Sequence, residues 1–134
     1  MFAVSAARAD DSLEVKRWKE RSEKSLQLSI DAANKKCGAT ITGRFDWSAT
    51  KYDDFGTKLS APRYQVAPNA VEAACATGDD AKAAVRKAIK TIVIKPSAGA
   101  QSKLELKAGE LDLIVVPDHN VMREDAKAWV LKRL

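Results

Sequence analysis

The stretch that most restricts how this chain can fold is Lys103 to Val116, KLELKAGELDLIVV. Leu104 and Leu106 alternate with Glu105 and Lys107; after Ala108-Gly109, Leu111 and Leu113 alternate with Glu110 and Asp112. Period-two alternation on both sides of a glycine-containing turn predicts a β-hairpin. With Ala108-Gly109 at the tip, Lys107 faces Glu110, Leu106 faces Leu111 and Leu104 faces Leu113. A slip of one residue would set leucines opposite charges and turn one strand inside out, so the pattern specifies register as well as existence. The same register puts Glu105 opposite Asp112, a mildly unfavourable like-charge pair, and a basic neighbour is expected beside it. Ile114, Val115 and Val116 form a continuous apolar run, which predicts cover on both faces. Pro117 cannot donate to a ladder and ends the strand.

The remaining elements follow from changes of period. Asp11-Ser12-Leu13-Glu14 reads as a helix start, with Asp11 as cap and Glu14 at the capping-box position. No Gly or Pro interrupts the chain from there to Lys36. Val15, Trp18, Leu26, Ile30, Ala33 and Cys37, interrupted by Ser22, form the apolar face of a helix of about seven turns. Lys35 and Lys36 suit the negative end of its dipole and Gly38 a left-handed cap. Ala39, Ile41, Gly43, Phe45 and Trp47 then alternate with polar residues, predicting a half-buried strand in which Gly43 marks a bulge, a twist or a close approach. Residues 48–68 have no sustained period and read as a long loop, with a short strand at 63–66. A helix capped by Asn69, a second helix carrying Ala81, Ala84, Val85, Ala88 and Ile89 on one stripe, and a strand at 91–95 come next. A last helix, capped by Asp118 or Asn120, has Met122, Ala126, Trp129 and Val130 as its apolar side.

These elements predict an α+β fold. A long N-terminal helix and further helices pack on a small antiparallel sheet of about four strands, in which 91–95, 103–107 and 110–116 form a meander and 39–47 joins an edge. The 134 residues suit one domain, expected over 10–134. A chain of this length buries roughly two-thirds of its unfolded surface, enough for a core without metal.

Residues 1–10 read MFAVSAARAD. Ala-Arg-Ala before Asp10 fits a small-x-small processing site, but a basic segment and a longer apolar segment are missing, so 1–9 is read as the remnant of a signal peptide, with a disordered terminus of small residues as the alternative. Cys37 and Cys75 have neither CxxC spacing nor, with one histidine in the chain, partners for zinc. In an exported chain, periplasmic or secreted, they are expected to pair. No run of about 18 apolar residues suggests a membrane span.

Chemical motifs are sparse. His119, in Pro117-Asp118-His119-Asn120, has Asp118 or Asp112 as an orienting partner but no activated nucleophile, and reads as a turn residue. Asp46, Asp53 and Asp54 lack EF-hand spacing, and as a hydrolytic carboxylate pair they read as solvated acids. No phosphate-binding glycine loop or metal cluster is present, so no cofactor, no metal and no catalytic residue is expected. Trp47, Tyr52, Phe55 and Tyr64 gather aromatic area around the 48–68 loop. Tyr52 and Tyr64 are expected to keep an exposed edge, with Phe55 and Trp47 pinning the loop to the core. Lys82, Arg86, Lys87, Lys90 and Lys95 make the densest basic surface. The formal net charge of +5 is spread among interspersed acids, which favours a solvated mixed surface. The first expectation is therefore a non-enzymatic, exported binding module that meets a protein or an envelope glycan through the 48–68 loop. The alternative is a binder of polyanions (acidic glycan, nucleic acid or anionic membrane) through 82–95, with nucleic acid itself not favoured for want of a motif. A small hydrolase ranks third.

Overall fold

A computed structural model describes residues 12–55 and 59–134; the signal-peptide remnant read at 1–9 and the predicted cap Asp11 lie outside the described residues. The elements are α1 (Leu13–Cys37), β1 (Thr42–Phe45), α2 (Tyr52–Phe55), α3 (Ala61–Tyr64), α4 (Val66–Cys75), α5 (Asp79–Ala88), β2 (Thr91–Pro96), β3 (Lys103–Lys107), β4 (Glu110–Val115) and α6 (Arg123–Arg133). The fold is α+β.

The hairpin has the predicted register: Lys107 pairs with Glu110, Leu106 with Leu111, Glu105 with Asp112 and Leu104 with Leu113. Ala108 and Gly109 at the tip both have positive φ, 49° and 84°, as a two-residue primed turn requires.

The sheet is mixed rather than antiparallel, with strand order β1-β2-β4-β3. The expected meander does not form, because β4 inserts between β2 and β3 and pairs parallel with β2. The physical reason lies in which strands tolerate an edge. Ile92, Val93 and Ile94 of β2 and Leu111, Asp112 and Leu113 of β4 are buried, and near-continuous apolar runs suit interior strands. β3, with Lys103, Glu105 and Lys107, carries the charges that protect an edge. The 97–102 connection therefore passes over the end of β4. Ser97 N–H donates to Val115 O at 2.8 Å, and Gly99 lies beside Val116, where a Cβ would make ordinary contact with Val116 Cγ1. As expected, the first strand joins an edge, parallel to β2; a parallel neighbour needs a long crossover, which α2 to α5 supply.

Ser12, rather than Asp11, caps α1 by accepting from Val15 N–H at 3.2 Å. All six apolar residues predicted for its inner face are buried. Ser22 fits among them because its hydroxyl donates to Trp18 O at 2.9 Å. Gly38 ends the helix at φ 65°. The Asn34 side chain then acts as a short piece of strand, donating to Ile41 O at 2.9 Å and accepting from Ile41 N–H at 2.7 Å. The close approach at Gly43 is made by a side chain: a Cβ there would lie 2.7 Å from Ile30 Cγ1.

Three other boundaries differ from the pattern reading. The 48–68 stretch contains two helical turns, α2 and α3, and 61–64 is helical rather than a strand. α4 starts at Val66, with Asn69 inside it; Pro68 is tolerated in its first turn, where an N–H would lack a partner anyway. α6 begins after Met122 with no side-chain cap, so neither Asp118 nor Asn120 stands at its N-cap; the Asn120 carboxamide instead accepts from Arg63 Nε.

The core lies between the helices and one sheet face, that of Phe45, Ile92, Ile94, Leu104, Leu111 and Leu113. By strand alternation Arg44, Val93, Lys95, Glu105, Glu110 and Asp112 belong to the outer face. Cys37 and Cys75 stand at disulfide-bonding distance with Cα atoms 5.3 Å apart, joining the ends of α1 and α4. Among the described residues no helix is long and apolar enough to cross a membrane.

Candidate functional site

The aromatic residues after β1 turn back onto the N-terminal half of α1. β1 carries Phe45 into the core, and Trp47 stacks on it with ring centroids 4.4 Å apart and planes within 6°. Trp18, from α1, sits between Trp47 and Tyr52, each 5.2 Å away. Tyr64 closes the cluster edge-on to Phe45 at 5.1 Å. Such tilted and stacked pairs contribute roughly 0.5–1.5 kcal/mol each beyond their area burial.

Burial divides the four aromatic candidates. Phe55 and Tyr64 are 1% and 3% exposed, so the free edge expected of Tyr64 is absent: it packs under the loop against Phe45. Trp47 and Tyr52 are half-buried. Their polar tips are held by two carboxylates of α1. Tyr52 Oη donates to Glu14 Oε1 at 2.8 Å, and Trp47 Nε1 donates to Glu23 Oε2 at 3.2 Å. Lys19 Nζ lies 5.6 Å from the Trp47 ring centre, within cation–π range. The result is a fixed aromatic surface rimmed by Glu14, Lys19 and Glu23. The sequence pattern placed Trp18 in the core and Glu14 in a capping box, and gave no role to Lys19 or Glu23. The available signal was spacing within each pair: Glu14 lies one turn before Trp18, and Lys19 one turn before Glu23, so the members of each pair are neighbours on the helix surface.

The basic candidates divide between α5, with the residues just after it, and the outer sheet face. Arg86 Nη1 donates to Cys37 O at 2.8 Å, capping the end of α1. Lys90 Nζ donates to Arg86 O. Lys82 lies 3.8 Å from Asp79. Lys95 is on the outer sheet face, where its Nζ bonds Asp112 Oδ2 at 2.8 Å. It is the basic neighbour expected beside the Glu105–Asp112 pair, and that bond raises its pKa above the usual lysine value. Lys87 is exposed.

His119 is structural in its contacts. Its Nδ1 accepts from Ser102 N–H at 2.9 Å, while Ser102 Oγ donates to His119 O at 2.5 Å and accepts from Val116 N–H at 2.9 Å. Arg63 binds the same turn, donating to Val116 O at 2.9 Å and His119 O at 3.2 Å. This joins α3 to the exit of the hairpin. Shallow cavities of about 300 and 310 Å³ flank this turn.

Asp46 Oδ1 accepts from Ser48 N–H at 3.0 Å. Hydrogen bonds from the Ser48 side chain and backbone hold its carboxyl below the usual carboxylate range. The side chains of Asp53 and Asp54 lie outside the described ones. Among the described residues no group of three His, Cys, Asp or Glu side chains is placed to hold a metal ion. Comparison with protein-family models, with curated proteins and with solved structures finds no match.

Proposed function

We propose that this chain is an exported, non-enzymatic binding module that meets a protein or envelope glycan through the aromatic surface of Trp47 and Tyr52. The observation that carries the reading is the fixing of two half-exposed rings at both ends: each packs on buried Trp18 and each tip is bound by a glutamate of α1. Rings ordered before a partner arrives lose little side-chain entropy on binding, which favours affinity. Phe55 and Tyr64, buried beneath, support the surface rather than form it. Export is supported by the Cys37–Cys75 geometry, since disulfides persist in oxidising compartments. A non-catalytic role is supported by His119, whose Nδ1 is engaged by Ser102 N–H.

The test places a photo-crosslinking residue at exposed Lys51 and compares capture from an envelope extract, and binding to a glycan array, for the wild type, Tyr52→Ala and Lys19→Glu. The expected result is a discrete adduct or glycan signal that both substitutions reduce at least tenfold, with melting temperature changed by only a few degrees. Equal capture by all three proteins, or loss of capture only in variants that unfold, would remove the site.

A further inference from the structure

Asp112 is the one buried charged side chain among the described residues. Its two oxygens are treated differently. Oδ2 binds Lys95 Nζ at 2.8 Å, whereas Oδ1 is buried with no hydrogen-bond donor among the described residues. A buried acceptor without a donor is unfavourable, so the groups around it decide how it is satisfied. Glu105 faces it across the β3–β4 ladder. Glu110 lies two residues earlier on the same face of β4, where alternation returns its side chain to the same side. Both neighbours are carboxyl groups, and a carboxyl group donates only when protonated.

Their cations distinguish the two. Glu105 has its own lysine, with Lys103 Nζ at 3.5 Å, whereas the ion pair of Glu110 among the described residues is with Lys95, at 3.9 Å. Lys95 is already closer to Asp112. The weakly compensated Glu110 is therefore the group on which a proton is most easily held.

We propose that Glu110 and Asp112 share a proton on the outer sheet face, making the hairpin a proton-sensitive element that becomes more stable as the medium is acidified. The proton enters from solvent onto the Glu110 carboxylate, and its O–H donates to Asp112 Oδ1. The carboxyl of Glu110 accordingly titrates above the usual carboxylate range, first through its hydrogen bond to Asp112 and next through repulsion by Asp112.

Charged neighbours on every adjoining strand bear on the balance. Lys95 on β2 and Arg44 on β1 favour the ionised Glu110. Lys107 faces Glu110 from β3 and acts in the same direction, though it is exposed. Glu105 on β3 and Asp46 beyond β1 add negative charge to the same face. A raised folded-state pKa means that the contribution is fully present below the unfolded value and is lost as pH rises through the folded value.

Glu110→Gln tests this, because its amide donates to Asp112 at every pH. Urea midpoints are measured from pH 4 to 8 for both proteins, and the Glu110 carboxyl is followed by NMR in the wild type and in Asp112→Asn. The expected outcome is a higher midpoint for Glu110→Gln at pH 7, a gap that closes on acidification, and a fall of the Glu110 titration midpoint in Asp112→Asn. A gap that is absent at pH 7 or independent of pH overturns the proposal, as does a Glu110 titration that is the same with Asp112 and with Asn in its place.

Discussion

Gly43 is where β1 comes closest to α1, and substituting alanine there tests the packing that holds the aromatic surface in place. A Cβ at this position would lie 2.7 Å from Ile30 Cγ1 and 2.9 Å from Ile30 Cδ1. Ordinary carbon–carbon contact is about 3.5–4.0 Å, so the overlap approaches 1 Å. Ile30 is fully buried, and a β-branched side chain in a helix has one strongly preferred χ1. It cannot swing aside cheaply, so the strand and helix must separate. Overpacking of this kind costs roughly 1–3 kcal/mol. The backbone of Gly43 is not in the left-handed region, so alanine recovers about 0.4–1 kcal/mol by restricting the unfolded chain. The net expectation for Gly43→Ala is a loss of roughly 1–2 kcal/mol. For a 134-residue domain that corresponds to about 4–8 °C in Tm. Ile30→Ala alone should cost roughly 2–5 kcal/mol. In the double variant the new methyl enters the space that Ile30 vacates, so the loss should fall short of the sum by about 1 kcal/mol or more. Urea unfolding of the four proteins measures the cycle. An additive cycle, or a Gly43→Ala protein as stable as the parent, would refute the close-packing argument.

Replacing both Cys37 and Cys75 by alanine opens a loop of 38 residues; the chain-entropy relation gives a loss of about 4 kcal/mol, readable as a Tm drop, and an unchanged Tm would count against a formed bond. Arg63→Gln should cost roughly 1–3 kcal/mol and speed hydrogen exchange at residues 116–120, because Val116 O loses the Arg63 donor and His119 O keeps only that from Ser102 Oγ; Arg63→Lys should not restore it, lacking the planar fork. Arg86→Glu should lower stability through the lost bond to Cys37 O, while the neighbouring Lys87→Glu should change it by less than about 0.5 kcal/mol; equal effects would contradict the capping role. Asp46 has a lowered folded pKa, so its contribution is present above its unfolded value and lost as pH falls through the folded one; Asp46→Asn should be less stable at pH 7, with the difference vanishing at strongly acidic pH in thermal scans.

What could be read directly from residues was what depends on short range. The hairpin register follows from leucine alternation around a turn of Ala108-Gly109, and the face of α1 follows from 3.6-residue spacing. Among the rings around residues 48–68, Phe55 is buried as expected, whereas Tyr64, expected to keep an exposed edge, is buried too. Tyr52 and Tyr64 carry the same side chain in similar composition. One lies against Glu14 at the helix surface and the other under the loop against Phe45, and only the path of the chain between them distinguishes the two. The helical turns at 52–55 and 61–64 are too short to generate a period.

Sequence alone determined the hairpin, the long helix with its left-handed cap at Gly38, the α+β class and the two cysteines as a pair; the N-terminal cap, read as Asp11, is Ser12. The hairpin and the helix depend on contacts within a few residues or on a side-chain period; the cysteines, 38 residues apart, were read as a pair from their number and from the want of zinc partners. Tertiary structure decided the partners of those elements. Placing β4 between β2 and β3 puts two apolar strands inside and the charged strand at the edge, a choice made by burial across the whole sheet. That same choice brings Lys95 onto Asp112, turning a local conflict of Glu105 against Asp112 into a clustered charge site. The hairpin's internal register was local information. Its neighbour on the open side of β4 was a global one, because it depended on which strand could best remain in water.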